Sequence, residues 1–286
     1  MDKLLKALVM DGEISVSVLE TTDMVNESIK IHKLSPVAAA AFGRAMTACT
    51  FMASGLKSKE DKLYVNINGD GAGGRITVCG NGELFMRGSV ANGGAELPLK
   101  PNGKLDVGGF VGKNGRMTVV RSMGLKEPYS GSSALVSGEI AEDFAAYYAY
   151  SEQQPTAMAL GVLIGKDRTC VGAGGVIAQA MPDASESSLV KAENIIKSLS
   201  DVSAKIRDMG AEKLFKELFE DAEFTEYHPV YKCLCGEEYV KGILVSLGKK
   251  ELEDIIAKEK AVKVNCEFCG KEYVFDADDV AEMFHV

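Results

Sequence analysis

Hydrophobic and polar residues alternate in several short stretches of the first 182 residues. The clearest alternation lies at residues 13–19, 63–68, 75–79 and 117–121. A period of two is the pattern of a strand with one buried face. Glycine-containing turns such as Asn114-Gly115 separate the stretches and supply the positive φ values that hairpins need. Two later apolar runs, at residues 158–163 and 169–171, are typical of buried strands.

Two helices interrupt the predicted strands. Ser35 supplies an N-cap and Pro36 the first helical residue of one, which runs through an alanine-rich stretch towards Phe51. The other covers residues 137–154. The predicted fold class is therefore α+β, with a mixed α/β N-terminal domain of antiparallel-rich sheets over residues 1–182.

The composition changes after Pro182. Residues 185–221 contain almost no glycine and no proline, and apolar residues recur there close to the helical period. These apolar residues are Leu189, Ile195, Ile196, Leu199, Val202, Ile206, Met209, Leu214, Leu218 and Phe219. The pattern predicts an amphipathic helical linker, residues 183–227, whose apolar side docks on the N-terminal domain. Residues 228–286 follow as a small C-terminal domain that carries a cysteine cluster.

The composition is that of an ordinary soluble protein. Of the 286 residues, 46% are hydrophobic and 26% are charged. No apolar run reaches the roughly 18 residues that a membrane span needs. The N-terminal residues lack the apolar core and cleavage site of a signal peptide, so we expect a cytoplasmic protein.

The net charge of -9 is spread unevenly along the chain. Residues 1–182 hold 18 basic and 18 acidic residues, residues 183–227 hold 6 and 11, and residues 228–286 hold 8 and 12. A nucleic-acid-binding protein needs Lys and Arg to displace phosphate counterions. Residues 228–286, the part of the chain that most resembles a zinc finger, instead carry a net negative charge. DNA and RNA are therefore disfavoured as the main partner.

Four cysteines near the C-terminus have the spacing of metal ligands. Cys233 and Cys235 form a CxC pair, and Cys266 and Cys269 form a CxxC pair that follows after 30 intervening residues. A glycine follows each pair and is expected to permit the tight turn around a metal. Four thiolates complete the tetrahedral shell of Zn²⁺ and leave no position for water or substrate, so the predicted site is structural or regulatory rather than catalytic.

The same four cysteines allow a redox switch. Two residues along an extended strand span about 6.6 Å, which is within reach of a disulfide, and a CxxC turn closes more easily. Oxidation of both pairs would remove the metal ligands from a domain too small to fold on its core alone. Two other interpretations remain open, a purely structural zinc domain and four reduced cysteines without a metal.

The cysteine motifs and much of the remaining chain resemble the bacterial 33-kilodalton heat-shock chaperone family. The resemblance in the C-terminal part lies in Cys233–Cys235, Ile243–Gly248, Lys250–Ile256 and Cys266–Cys269. In the N-terminal part it lies in Ser35–Ala40, Ser137–Asp143, Ser151–Pro155 and Gly174–Gln179. It spans essentially the whole chain, and the paired CxC and CxxC motifs are its most specific element.

The resemblance implies an ATP-independent holdase that is inactive while reduced and bound to one Zn²⁺. It implies that oxidants drive zinc release and form disulfides between Cys233 and Cys235 and between Cys266 and Cys269. The linker would then unfold and expose apolar surface. The protein would form a homodimer and hold unfolding client proteins.

Other features do not favour a different function. The glycine-rich segments at residues 69–74 and 172–175 lack the spacing of nucleotide-binding loops, and we interpret them as turns or close backbone packing. Cys49, Cys79 and Cys170 lie in predicted helices or strands, where buried inert thiols are expected. No nucleophile–base pair is apparent, so no enzyme is predicted. A constitutive zinc-ribbon interaction module remains the alternative function.

Overall fold

The computed structural model describes residues 1–124, 127–220 and 222–284. The chain divides into two compact units, Met1–Lys232 and Cys233–Val286. The predicted division into three parts, with boundaries at residues 182 and 227, stays a prediction. In the structure, the helices of the linker belong to the same compact unit as the N-terminal domain. Among the described residues, no helix is long and apolar enough to pass through a lipid bilayer.

The strands of the first unit, over its described residues, form two sheets. The strands are β1 (Lys3–Val9), β2 (Ile14–Glu20), β3 (Lys62–Asn68), β4 (Ile76–Asn81), β5 (Phe85–Val90), β6 (Arg116–Ser122), β7 (Tyr129–Ala134), β8 (Thr156–Ile164), β9 (Cys170–Ala180), β10 (Thr225–Tyr227) and β11 (Val230–Tyr231). One sheet has the order β10-β1-β2-β9-β8 and the other the order β11-β5-β4-β3-β6-β7. Among the described strands of this unit, every pairing is antiparallel except that of β11 with β5, which confirms the predicted antiparallel-rich α+β fold.

The helices of the first unit lie between and outside these sheets. They are α1 (Thr22–His32), α2 (Pro36–Ala53), α3 (Val107–Val111), α4 (Ala141–Tyr147), α5 (Glu186–Lys197) and α6 (Val202–Leu218), with a π-helical turn, Tyr148–Glu152, directly after α4. Helix α2 begins as predicted, because the Ser35 side chain accepts a hydrogen bond from the Ala38 N–H and Pro36 stands at the first turn.

Helix α2 forms the centre of the main hydrophobic core. It contacts β8 and β9 of the five-stranded sheet and β3, β4 and β5 of the six-stranded sheet. Its side chains are small over residues 38–41, which allows close approach to both sheets, and Phe42 and Met46 are completely buried. Burial of a large apolar side chain contributes about 1.5–3 kcal/mol, so this helix holds the two sheets together.

Helices α5 and α6 cover the opposite face of the five-stranded sheet. Their buried apolar residues are Ala192, Ile196, Val202, Ile206, Ala211, Leu214 and Phe215. These side chains pack against alternate residues of the sheet, among them Leu5, Val16, Val18 and Val176. The apolar stripe of the linker is therefore satisfied by docking on the N-terminal sheet, as the helical spacing predicts. Asp221 of the same segment lies outside the described residues.

The structure differs from the predicted helices at two places. The segment 185–221 is two helices separated by residues 198–201, and α6 is itself interrupted at Gly210, where the backbone is not helical. The helix predicted from residue 137 begins at Ala141, because the Asp143 carboxylate accepts the N–H groups of residues 136–138 and 140 and holds them in a loop.

Strand β1 and helix α1 were not predicted. In β1, Leu4 packs in the core around α2, and its neighbour Leu5 packs under α5 and α6. A strand that is buried on both faces loses its alternation. In α1, Thr22 and Asn26 hydrogen-bond the backbone of β9 where that strand extends beyond β2.

In its described part, residues 233–284, the second unit is a hairpin with three short helices. Its elements are α7 (Glu237–Leu247), α8 (Lys249–Glu259), β12 (Val262–Asn265), β13 (Glu272–Phe275) and α9 (Ala277–Glu282). Its buried apolar core within the described residues consists of Val240, Leu244, Leu252, Val262, Tyr273, Phe275 and Val280. Chains this short seldom fold on a hydrophobic core alone and commonly need a metal or disulfides.

Candidate metal centre

The structure brings the four predicted cysteines together in the second unit. Cys233 and Cys235 lie on the segment that leads into α7, and Cys266 and Cys269 lie in the connection between β12 and β13. All four sulfur atoms are within 4.8 Å of one another. The Sγ–Sγ distance is 3.7 Å between Cys233 and Cys266 and 3.3 Å between Cys235 and Cys269. The four side chains are half-buried, so solvent and oxidants can reach them.

The CxxC turn has the geometry of a metal-binding knuckle. The Gly270 N–H donates to the Cys266 carbonyl at 2.8 Å, and the Cys266 N–H donates to the Lys271 carbonyl at 2.9 Å. Gly270 has φ +70°, a conformation that L side chains rarely adopt, so glycine is needed there. Gly236 has φ -144°, which any residue can adopt, and is the N-cap residue of α7. The expected role of glycine in the turn is therefore confirmed for Gly270 and wrong for Gly236.

The donor set fits a tetrahedral Zn²⁺ ion. Four thiolates at about 2.3 Å from a tetrahedral centre have sulfur atoms about 3.8 Å apart. The two close Sγ–Sγ distances, 3.7 and 3.3 Å, lie near that edge length, and the remaining pairs lie within 4.8 Å. Soft thiolate ligands in this arrangement favour zinc over oxygen-seeking cations. The residues present can therefore hold one ion of this kind.

A tyrosine that the sequence motifs do not include completes the surroundings of the cluster. The Tyr273 hydroxyl donates to Cys235 Sγ at 3.3 Å, and Lys271 Nζ lies 4.7 Å from the centroid of the Tyr273 ring. Burial alone would raise the pKa of Cys235, but the hydrogen bonds from Tyr273 and from the neighbouring thiols lower it to about 7. Burial raises the pKa of Cys233 and of Cys269. One thiol of the cluster is thus especially easy to deprotonate.

The position of Tyr273 follows from the strand that carries it. Residues 262 to 265 pair with residues 275 to 272 in the β12–β13 hairpin, which places Val264 opposite Tyr273. The alternation in this strand buries Tyr273 and Phe275 and exposes Val274. In the sequence, the hydrogen bond between Tyr273 and Cys235 is signalled only by a tyrosine four residues after Cys269, on a strand that alternates. If such a tyrosine is buried, its hydroxyl needs a hydrogen-bond partner.

The remaining three cysteines lie in the core of the first unit. Cys49 is fully buried, and Cys79 and Cys170 are 8% and 4% exposed. Burial raises the pKa of Cys79 and of Cys170 to about 11 and also raises that of Cys49. The predicted burial of these three cysteines is confirmed. A raised pKa disfavours the thiolate, which is the reactive form, so low reactivity stays the expectation for them.

Comparison with known proteins places the whole chain in one family. The family model described as Hsp33 protein matches residues 2–276. The chain belongs to the Hsp33 family. The resemblance of the cysteine motifs and of the N-terminal segments is thereby confirmed over almost the full length.

Relatives within the Hsp33 family are similar along their whole length. The 33 kDa chaperonin of Clostridium acetobutylicum is 42% identical over 292 residues, covering 99% of this chain and 97% of that protein. The 33 kDa chaperonin of Clostridium novyi is 39% identical over 289 residues, with the same coverage. The crystal structure of the 33 kDa chaperonin (Hsp33) of Thermotoga maritima has a TM-score of 0.89 at 34% identity, covering 98% of this chain and 97% of that one.

The named relatives are chaperonins, which places this chain in a chaperone family, and the four-cysteine cluster is compatible with zinc binding and with redox-sensitive disulfides.

Proposed function

We propose that this chain is a redox-regulated, ATP-independent holdase, inactive while reduced and zinc-bound and active after oxidation. The observation that carries the proposal is the cluster of four half-buried sulfur atoms within 4.8 Å. The unit that holds the cluster has a core of seven buried apolar side chains in its described part. A fold that depends on its thiolates is lost when the thiolates are oxidised.

Cys233, Cys235, Cys266 and Cys269 are the proposed ligands of one Zn²⁺. When bound, this ion would join the start of the second unit to the connection between β12 and β13 and add roughly 10–16 kcal/mol of folding free energy. Cys235 and Cys266 also pack against the apolar core, so the ligands and the core are parts of one structure. Loss of the ligands therefore removes stability from α7, α8 and the hairpin together.

The proposed activating step is disulfide formation by a peroxide. Two thiolates lose two electrons and form one S–S bond. One hydrogen peroxide accepts these electrons with two protons and leaves as two water molecules. We propose the pairs Cys233–Cys235 and Cys266–Cys269, which are neighbours in sequence and match the family resemblance. Cys233 also lies 3.7 Å from Cys266, and Cys235 lies 3.3 Å from Cys269, between Sγ atoms, so peptide mapping of the oxidised protein is needed to test the pairing.

The linker is the proposed link between oxidation and client binding. Residues 183–227 follow the N-terminal domain, residues 1–182, and precede the redox-switch domain, residues 228–286. Release of α5 and α6 would expose their apolar stripe and the sheet face beneath it, which together bury fifteen core residues. Apolar surface of this extent binds unfolding proteins or a second copy of the chain. We propose homodimer formation on oxidation and a cytoplasmic location.

The test compares reduced and oxidised protein. Peroxide with mild heat is expected to release one zinc per chain, remove four free thiols and make residues 183–227 sensitive to protease. The oxidised protein is expected to suppress aggregation of a heat-denatured client. Oxidised, zinc-free protein without this effect would exclude the proposal. Equal suppression by the reduced protein would instead favour a constitutive zinc-ribbon interaction module.

A variant separates linker release from oxidation. Phe215 is completely buried and contacts the rings of Phe219 and Phe224 at 5.4 and 4.9 Å between centroids. Phe215→Ala is expected to cost about 3–5 kcal/mol at this site. The reduced variant should then suppress aggregation without peroxide. Val190→Ala is the matched control, because Val190 lies on α5 but is 51% exposed.

A further inference from the structure

A cavity of about 500 Å³ lies between α4 and α5. Both helices pack against β8, and the floor of the cavity is formed by Ile14 of β2, Ala157 of β8 and Ala178 of β9. Val136 and Tyr150 line its mouth, where they are 55% and 80% exposed, so solvent can enter. Sites for small molecules commonly measure ~300–1,000 Å³, so this cavity can hold a compact organic ligand.

The walls of the cavity consist mainly of small apolar side chains. They are Ala145, Ala146 and Ala149 on the side of α4, and Ala192 on the side of α5. Methyl groups leave space between the two helices that larger side chains would fill, and an unfilled apolar cavity costs stability. The interior of the cavity therefore matches the apolar body of a ligand.

The polar groups of the cavity have one sign of charge. Glu142 and Glu193 line it, and among the described lining residues there is no Lys, Arg or His. Glu193 pairs with Lys197 at 2.8 Å, but Lys197 is not part of the lining, and Glu142 has no ion pair within the described part of the chain. Two carboxylates at an apolar cavity attract a cation and repel an anion.

Two further features favour a positively charged ligand. The exposed ring of Tyr150 can contact a cation through its face, which is attractive within about 6 Å of the ring centroid. The linker that supplies α5 is acidic, since residues 183–227 hold 6 basic and 11 acidic residues. The local field therefore adds to the effect of the two glutamates.

We propose that this cavity is a binding site for an amphipathic organic cation. The apolar body of the ligand lies between the alanines of α4 and α5. Its ammonium group faces Glu142 and Glu193, and the ring of Tyr150 covers it at the mouth of the cavity.

A ligand in this cavity would also hold the linker in place. One wall belongs to the N-terminal domain through α4, and the other belongs to the linker through α5. The site is complete only while α5 is docked, so the ligand stabilises the docked state by a factor of 1 + [ligand]/Kd. This regulatory effect rests on the proposed function, whereas binding of the cation to the reduced protein does not.

The binding experiment compares three probes with the same apolar body. They are 4-phenylbutyltrimethylammonium, 4-phenylbutanol and 4-phenylbutanoate, titrated calorimetrically into the reduced, full-length protein. We expect the cation to bind about tenfold more tightly than the neutral alcohol, and the anion to bind most weakly. No binding of the cation, or equal affinity for the three probes, would overturn the proposal.

Variants of the two glutamates test the charge selection. Glu193→Gln is expected to weaken binding of the cation about threefold, and the double variant with Glu142→Gln about tenfold, as exposed ion pairs predict. Glu186→Gln is the matched control, because Glu186 also lies on α5 and is exposed but does not line the cavity. Equal affinities of the double variant and the control would contradict the site.

A further variant fills the cavity. Ala146→Leu adds three carbon atoms to the wall on α4 and is expected to weaken binding of the cation more than tenfold. Unchanged affinity in a folded Ala146→Leu protein would place the ligand elsewhere and overturn the proposal. If this variant does not fold, the glutamate variants decide.

The effect on the linker is measured during peroxide treatment with mild heat. At ten times its Kd, the cation is expected to slow protease cleavage within residues 183–227 about tenfold, and 4-phenylbutanoate should not slow it. Unchanged cleavage with the cation bound would overturn the bridging role of the site. Aggregation assays without probe test the proposed function separately. A protein that suppresses aggregation but does not bind the cation contradicts only this inference.

Discussion

Cys269 is the second cysteine of the CxxC turn and one of the four residues of the sulfur cluster. Its Sγ atom lies 3.3 Å from that of Cys235, and its side chain is half-buried. A serine at this position keeps the size of the side chain but replaces a soft thiolate by a poor zinc ligand.

Cys269→Ser is therefore expected to reduce zinc content well below one per chain and to unfold the second unit at moderate temperature. The measurement is metal analysis of the reduced protein, combined with amide hydrogen exchange of residues 233–284. Cys79→Ser is the control, since Cys79 is buried in the first unit, and it should leave the zinc content unchanged. Full zinc retention by Cys269→Ser would contradict the ligand assignment.

Asp2, which precedes β1 in the sequence, has a buried carboxylate that lies against the first turn of α1. It is 3% exposed and accepts the N–H groups of Asp23 at 2.8 Å and Met24 at 2.7 Å. Burial raises its pKa to about 7, against the opposing effect of the two backbone hydrogen bonds. The folded-state pKa lies above the unfolded value of about 3.9, so the folded protein binds the proton more tightly. Ionisation of Asp2 therefore costs stability as the pH rises from about 4 to 7.

Asp2→Asn removes this contribution. Between pH 5 and pH 8 the wild type is expected to lose about 2–3 kcal/mol more free energy of unfolding than the variant. Urea unfolding of the first unit at both pH values measures the difference, and contributions from all other groups cancel in the comparison. Parallel stability–pH curves for the two proteins would show that Asp2 ionises normally.

At the scale of the elements, two glycines of the second unit are expected to respond in opposite ways to replacement by alanine. Gly242 lies within α7, and a Cβ there meets nothing within 4 Å. Gly248 joins α7 to α8 with φ +93°. Because glycine weakens a helix interior, Gly242→Ala is expected to stabilise the second unit by about 1 kcal/mol. Gly248→Ala should destabilise it by a similar amount or more, since alanine is strained at positive φ.

The measurement is the rate at which a chromogenic chelator removes zinc from each variant under reducing conditions. Gly242→Ala should slow zinc removal relative to the wild type, and Gly248→Ala should accelerate it. The two variants add the same methyl group, so each is the control for the other. Changes of equal sign would show that local backbone geometry does not govern the stability of this unit.

At the scale of the whole molecule, the two units have separate hydrophobic cores. The described residues of the first unit form two large clusters around α2 and under α5 and α6. The second unit has one small cluster next to the cysteines. Removal of the metal should therefore affect the two units very differently.

Chelation of zinc under reducing conditions is expected to abolish hydrogen-exchange protection over residues 233–284. Residues 1–182 should keep theirs, because their core does not depend on the metal. The loss of roughly 10–16 kcal/mol exceeds what the small core of the second unit can supply. Added zinc should restore protection, since the reductant prevents disulfide formation. Protection that persists in the second unit after complete metal removal would contradict a metal-dependent fold.

The sequence by itself determined the features that depend on local spacing. Alternation predicted β2, β3, β4 and β6, and capping residues predicted the start of α2. The positions of Cys233, Cys235, Cys266 and Cys269 predicted the cluster, because the spacing of the CxC and CxxC pairs is itself a feature of the sequence. The apolar stripe of residues 185–221 predicted docking, because a stripe of that width needs a partner surface.

Only the tertiary structure decided which surfaces meet. The contact of Tyr273 with Cys235 joins residues 38 positions apart, and Gly161 and Gly172 both lie close to Ser203 because β8 and β9 pair side by side. Burial of β1 on both faces and the position of α2 between two sheets also depend on contacts distant in sequence. Periodicity and capping indicate the secondary structure of the segment in which they occur. The contacts above depend instead on how segments far apart along the chain pack together.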